Sequence, residues 1–210
     1  MSYSEKEPFV TIIKNKLREA YRIRKEYVIW LLSGKPAPPP HIVKQKIIKN
    51  IARRYGLTVF IETGTYLGEM VDAVKKIFKK IYSIELSEEL HKQAVVNFHK
   101  YSHIALIQGD SAKELPKILT QVNDRCLFWL DGHYSAGNTA CGDKETPIVE
   151  ELQHIFRHTI KNHVILIDDA RCFTGMNDYP TIEKLRELLD RVAPHYSFAV
   201  DKDIIRLYPK

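Results

Sequence analysis

Cysteine is scarce in this chain: three residues in 210, Cys126, Cys141 and Cys172. An odd number without C-x-x-C spacing argues against a disulfide framework and against a cysteine-based zinc site. The simplest compartment is therefore a reduced, cytoplasmic one. No apolar run approaches the roughly 18–20 residues needed to cross a bilayer. The first residues, Met1 to Glu7, lack the basic-then-apolar order of a secretory leader. Glycine is also sparse, with nine residues. The dinucleotide fingerprint needs G-x-G-x-x-G, but the first glycine turn offers only Gly64 and Gly68, which gives a pyrophosphate cradle little support. Acidic residues are short in one region only: positions 1–56 hold 13 of the 32 Lys/Arg but 4 of the 26 Asp/Glu. The net charge of +6 thus belongs to the amino-terminal segment, and the remainder is slightly acidic.

What is present divides the chain at about residue 56. In 1–56, Phe9, Ile13, Leu17, Ala20, Ile23, Tyr27, Trp30 and Leu31 recur at helical spacing, opposite Lys14, Arg18, Arg22 and Lys25. Ser33-Gly34 and the Pro-rich stretch to Pro40 end that helix and form a stiff connector. A second helix is predicted from His41 to Tyr55, with Val43, Ile47, Ile48, Ile51 and Tyr55 inward and Gly56 as its C-cap. Such basic amphipathic helices bind acidic membranes or nucleic acid in some proteins. Packing on their own domain or on a second subunit is the more economical expectation.

From 57 to 210 the pattern alternates strand and helix. Val59–Glu62, Lys80–Glu85, Ile104–Gln108, Cys126–Asp131 and His163–Asp168 read as buried strands. The first is followed by a helix carrying Leu67, Met70, Val71, Val74, Ile77 and Phe78, and Ser87 caps the next. Thr146-Pro147 reads as an N-cap with Pro at the first helical position. Tyr196–Val200 and Asp203–Tyr208, separated by Asp201-Lys202, must form an antiparallel hairpin. The predicted fold is α/β: a Rossmann-like, doubly wound seven-stranded sheet, mostly parallel, with an antiparallel C-terminal hairpin and N-terminal helices.

Each parallel strand ends in polar or acidic residues: Glu62, Glu85, Gly109-Asp110, Asp131 and Asp168-Asp169. Burying them all in a core would be costly, whereas the carboxyl edge of such a sheet is where ligands bind. Glu85 can accept the two hydroxyls of a ribose. Strands four and five should lie about 4.8 Å apart, which gathers Asp131, Asp168 and Asp169. Like charges so close need a cation or protons, and oxygen-only ligands point to Mg²⁺ or Ca²⁺.

The run Glu62-Thr63-Gly64-Thr65-Tyr66-Leu67-Gly68, together with the terminal hairpin, resembles the class I S-adenosylmethionine-dependent methyltransferases over about residues 57–210. The resemblance implies that Glu62, Thr63, Gly64, Thr65, Tyr66 and Gly68 hold the methionine end of the cofactor, Glu85 the ribose, and Gly109, Asp110 and Ser111 the adenine. Leu-Asp131-Gly-His133-Tyr134 with Leu-Ile-Asp168-Asp169-Ala resembles the metal-dependent O-methyltransferases of the catechol and macrolide-sugar (macrocin, mycinamicin) types. That implies Mg²⁺ on Asp131, Asp168 and Asp169, with Asp131 also beside the cofactor.

His133 is a candidate general base, with His41, Lys44 and Tyr134 as rivals; the lysine of the catechol type, three residues after its Asp, is replaced here by Tyr134. Loops 132–145 and 170–180 suit a lid. No Asn/Asp-Pro-Pro-aromatic or Pro-Cys signature of base methylation follows strand four. The expected function is O-methylation of a small-molecule or glycan hydroxyl. The alternatives are RNA methylation gripped by the basic helices and a non-catalytic assembly protein on this fold. A homo-oligomer through the N-terminal helices is a further expectation.

Overall fold

In the computed structural model, residues 9–132 and 146–210 are described, and within the first helix the side chains of Lys14, Leu17, Arg18 and residues 20 onward. The predicted strands form one seven-stranded sheet. Its strands are β1 (Val59–Thr63), β2 (Lys80–Glu85), β3 (Ile104–Gln108), β4 (Cys126–Leu130), β5 (Val164–Ile167), β6 (Tyr196–Asp201) and β7 (Ile204–Pro209), in the order β3-β2-β1-β4-β5-β7-β6. The pairings from β3 to β5 are parallel, and β7 runs antiparallel to both β5 and β6. The order reverses beside β1, and the crevice there opens at the carboxyl ends of β1 and β4.

Both sheet faces are covered, which is why the central strands are apolar throughout. Ile61, Phe128, Leu130, Ile165 and Ile167 turn to one face, against α5 (Ser111–Leu119), α6 (Ile148–Arg157) and α7 (Ile182–Val192). Phe60, Leu127, Trp129, Val164 and Leu166 turn to the other, against α2 (His41–Tyr55), α3 (Glu69–Val74) and α4 (Glu88–Phe98). Ile48 of α2 is fully buried there, with Ile51 and Ala52 beside it, so α2 is part of the sheet's hydrophobic cover. Gly56 ends α2 in the left-handed region (φ 62°), and the Leu57 N–H reaches back to the Ala52 carbonyl at 2.9 Å.

The first helix, α1 (Phe9–Leu32), departs from its expected packing. Trp30 is buried and its Nε1 donates to the Pro36 carbonyl at 2.8 Å, while Ile23 and Tyr27 are half-buried. Leu17 and Leu31, expected on the same inward face, are exposed.

Three local expectations shift. The helix after β1 spans six residues rather than running from Leu67 to Phe78. Gly68 sits in the left-handed region (φ 76°) just before it, and after Val74 the chain must turn so that Lys79 N–H meets the Thr58 carbonyl at 2.8 Å and β2 can begin. Helix α6 starts at Ile148, with Pro147 flanking it and no side-chain cap from Thr146; Thr146 is buried at the cleft instead. The terminal turn is Lys202-Asp203, not Asp201-Lys202: both turn residues have positive φ, 52° and 61°, and Asp201 pairs with Ile204. Two positive φ values match the right-handed twist of the flanking strands.

Candidate active site at the carboxyl edge of the sheet

The β1 turn is built around close backbone approach. At Gly64 (φ 85°) a Cβ would lie 2.5 Å from the Asp131 carbonyl oxygen, so only glycine lets the β1 and β4 tips touch. The Gly64 and Thr65 N–H groups both reach the Ile84 carbonyl, at 2.9 and 3.2 Å. At Gly68 a Cβ would meet the Phe98 ring at 2.6 Å. Tyr66, half-exposed with φ 48°, projects from the turn.

Polar side chains stack beneath it. Glu62 is 1% exposed, and its Oε2 accepts from Ser83 Oγ at 2.6 Å; Ser83 in turn shares a 2.6 Å bond with Thr65 Oγ1. Burial pushes the Glu62 carboxyl up to about 8, the Ser83 bond opposing this. Glu85, at the tip of β2, accepts the Tyr66 N–H at 2.7 Å and the Ser87 N–H at 2.9 Å. It ties the glycine turn to the start of α4. Asp110 caps α5, accepting the Ala112 N–H at 3.0 Å. Gly109 (φ 146°) and Ser111 lie on either side of it, and Ser111 is buried.

The β4 and β5 tips converge as expected. Asp131 N–H bonds the Thr63 carbonyl at 3.1 Å and Asp168 N–H the Leu130 carbonyl at 3.0 Å, extending the ladder past the last strand residues. Asp168 Oδ1 accepts the Asp169 N–H at 2.9 Å. Its Oδ2 accepts from Lys44 Nζ, carried in by α2 across 124 residues of sequence. Lys44 Nζ is also 3.6 Å from Asp169 Oδ1. Burial pushes Asp168 up and Asp131 adds to this. Lys44 is desolvated, but Asp168, Asp169 and Asp131 together hold it above the usual lysine range, so it stays an ammonium. Asp169 takes the left-handed region (φ 54°) and its Oδ1 accepts from Arg171 Nη1 at 2.7 Å. Arg171 also grips Asp203 of the β6–β7 turn.

Of the rival bases, Lys44 is thus in the carboxylate cluster. His41 lies one turn earlier, 3.2 Å from Glu69 Oε2. His133 and Tyr134, with most of the 132–145 loop, lie outside the described residues.

A small cleft, with a cavity volume of about 10 Å³, sits beside Asp131 and Asp168, lined also by Thr146, Glu151, Phe173 and Tyr179. Glu151 and Tyr179 were not singled out from sequence. Glu151 is 1% exposed, and burial pushes it up to about 7 against the Ser111 and Thr63 hydroxyls. Its Oε1 and the Thr63 Oγ1 nonetheless lack a hydrogen bond of ordinary geometry. The signal was present: Glu151 lies three residues after Ile148 and four before Ile155, inside the buried arc of its helix.

No protein-family profile and no curated protein matches the sequence. Solved structures do match its fold. The O-methyltransferase TomG of Streptomyces achromogenes, solved with SAM, is 13% identical over 90% of this chain and 89% of its own, with a TM-score of 0.57. A putative caffeoyl-CoA O-methyltransferase from Staphylococcus aureus is 13% identical over 95% and 100%, with a TM-score of 0.59. The SAH-bound methyltransferase PaMTH1 of Podospora anserina is 17% identical over 100% and 98%, with a TM-score of 0.56. At such identities the likeness is one of architecture: the chain has the sheet order and terminal hairpin of the class I methyltransferase fold.

Proposed function

We propose that the protein is an S-adenosylmethionine-dependent methyltransferase acting on a hydroxyl of a small molecule or glycan. The observation that carries this reading is the gathering of Glu62, Gly64, Glu85, Asp131 and Asp168 at the tips of neighbouring strands, the last two lining the cleft beside β4 and β5. The sheet order and the bound SAM or SAH of its structural neighbours support it. In this reading the glycine turn admits the methionine end of the cofactor, Glu85 accepts from the ribose hydroxyls, and the 109–111 turn lies along the adenine.

Bound S-adenosylmethionine would supply a sulfonium methyl to the acceptor oxygen, a carbon–oxygen bond replacing the carbon–sulfur bond and sulfur keeping the electron pair. The protein's task is alignment and charge control. Asp131, which lines the cleft, is the carboxylate that accepts the hydroxyl proton, with His133 as a further candidate outside the described residues.

Mg²⁺ was expected on Asp131, Asp168 and Asp169. It seeks six oxygens in near-octahedral array. As arranged, Asp168 Oδ1 is bonded to an N–H, Oδ2 to Lys44, and Asp169 Oδ1 to Arg171. Among the described residues no group of three or more His, Cys, Asp or Glu is disposed to hold a metal. With Lys44 in place the donor set does not fit a divalent cation.

Calorimetry and thermal shift with S-adenosylhomocysteine test the cofactor. At a hundred times its Kd it should stabilise the protein by about 2.7 kcal/mol through mass action. Stabilisation by NAD but not by S-adenosylhomocysteine would overturn the reading.

A further inference from the structure

The acidic residues at two adjacent strand tips meet an ammonium that comes from outside the sheet: Lys44 Nζ bonds Asp168 and lies 3.6 Å from Asp169 Oδ1. Lys44 is four residues before Ile48 on α2, so the two side chains share a helix face. Ile48 is fully buried against the sheet, and Ile51 and Ala52 are buried beside it. These anchors fix α2 over the carboxyl edge and leave Lys44 no other direction. Its side chain is 13% exposed, against 2% for Asp168 and 9% for Asp169. A lysine carried by a loose surface helix would turn its ammonium to water. This one is held inside, on two carboxylates.

We propose that Lys44 is the resident cation of the strand-tip carboxylates, occupying the place that a divalent metal would need, and that it positions the acceptor oxygen there. The inference deepens the methyltransferase reading and rests on it for the acceptor, but the cation site itself stands on geometry alone. The chemistry is complementary. An ammonium has three donor hydrogens; Asp168 and Asp169 account for two directions, and the third can meet an oxygen of the acceptor. The ammonium lowers the cost of negative charge on that oxygen as its proton leaves. Arg171 does not duplicate this role, because its guanidinium is spent on Asp169 and Asp203.

The test uses the full chain and Mn²⁺ alone, followed by electron paramagnetic resonance and calorimetry, with S-adenosylhomocysteine binding measured on the same samples. Wild type should show no site saturating below millimolar Mn²⁺. Lys44→Ala vacates the position and removes the cation on Asp168, so it should bind Mn²⁺ at least about tenfold more tightly. Adding Asp168→Asn to Lys44→Ala should abolish the gain, and Lys44→Arg, which keeps the charge, should behave as wild type. Lys44→Ala is expected to retain S-adenosylhomocysteine, which also certifies that it is folded.

Tight Mn²⁺ binding by wild type that Asp168→Asn removes and Lys44→Ala leaves unchanged would overturn the proposal. So would a folded Lys44→Ala protein with no gain in Mn²⁺ affinity, the result expected if Lys44 merely holds α2 in place. Failure of wild type to bind S-adenosylhomocysteine would count against the methyltransferase reading, while the Mn²⁺ comparison would still decide the cation site.

Discussion

Replacing Glu62 by Gln should change how stability depends on pH more than it changes stability at any acidic pH. Glu62 is 1% exposed, and its carboxyl is pushed from 4.5 up to about 8. The folded state therefore holds a proton that the unfolded chain releases between those values. Wherever the folded state binds more protons, stability falls as pH rises. The loss begins near pH 4.5 and is complete above about 8. At about 1.4 kcal/mol per pKa unit the full effect is about 5 kcal/mol, of which about 3 kcal/mol falls between pH 5.5 and 8.5. Glutamine is neutral throughout and can still accept from Ser83, so the variant lacks this component. Glu151, pushed up to about 7, acts in the same direction in both proteins. His163, buried and held down to about 4, acts oppositely between about 4 and 6.5, again in both. The difference between the two proteins isolates Glu62. Urea unfolding at pH 5.5, 6.5, 7.5 and 8.5 measures it: the Glu62→Gln protein should gain on wild type by about 3 kcal/mol across the series. Parallel curves would mean that Glu62 is ionised and solvated in the fold, refuting the buried neutral acid.

Glu85→Ala removes the acceptor of two backbone N–H groups and the proposed ribose partner; calorimetry should show S-adenosylhomocysteine binding weakened by about tenfold or more. Gly64→Ala combines a positive φ with a Cβ 2.5 Å from the Asp131 carbonyl. It should cost at least about 2 kcal/mol in urea unfolding and lose the cofactor, and a variant with wild-type stability would refute the close approach. Deleting residues 1–32 removes a helix whose buried contact among the described side chains is Trp30. Deleting 1–56 also removes Ile48, Ile51 and Ala52 from the core. The shorter truncation should keep a cooperative thermal transition and the longer should not; equal behaviour of the two would show that α2 is dispensable.

The sheet was legible because each strand wrote its burial locally. Val-Phe-Ile and Cys-Leu-Phe-Trp-Leu are apolar on both faces, a pattern that only a doubly covered strand needs. The hairpin was legible because so few residues separate its strands. Its turn was shifted by one residue, because Lys202 and Asp203 carry positive φ without the glycine that usually announces it. For α1 the outward face is left open in the single chain. Helical periodicity states which residues share a face, but not whether anything lies opposite that face, and the chain leaves Leu17 and Leu31 in solvent. Asp131, Asp168 and Asp169 could be gathered from strand adjacency alone. Their actual partners, Lys44 and Arg171, could not: one comes from 124 residues away, and the other is a short step past Asp169 whose direction depends on that residue's left-handed backbone.

A sharper reading of the helices would have found two of the missing groups together. In α2, Lys44 precedes Ile48 by four residues, Ile51 by seven and Tyr55 by eleven, which puts an ammonium at the middle of the apolar arc. In α6, Glu151 borders the arc of Ile148, Leu152 and Ile155 and is buried with them. An ionisable residue buried along an apolar arc is expensive unless the arc ends at something polar. Here each arc runs along a sheet face and ends at the carboxyl edge, one on either side of the strands. The acids of that edge are then neutralised in different ways: Glu62 and Glu151 by burial that favours their protons, Glu85 by two backbone N–H groups, Asp168 by Lys44 and Asp169 by Arg171. Each compensation is made by a residue whose own position is set by core packing, so the charge pattern of the cleft is a consequence of the fold rather than an addition to it. A substitution that loosens Ile48 should therefore disturb Asp168 through Lys44, although Ile48 lies among the apolar core residues of the opposite end of that contact.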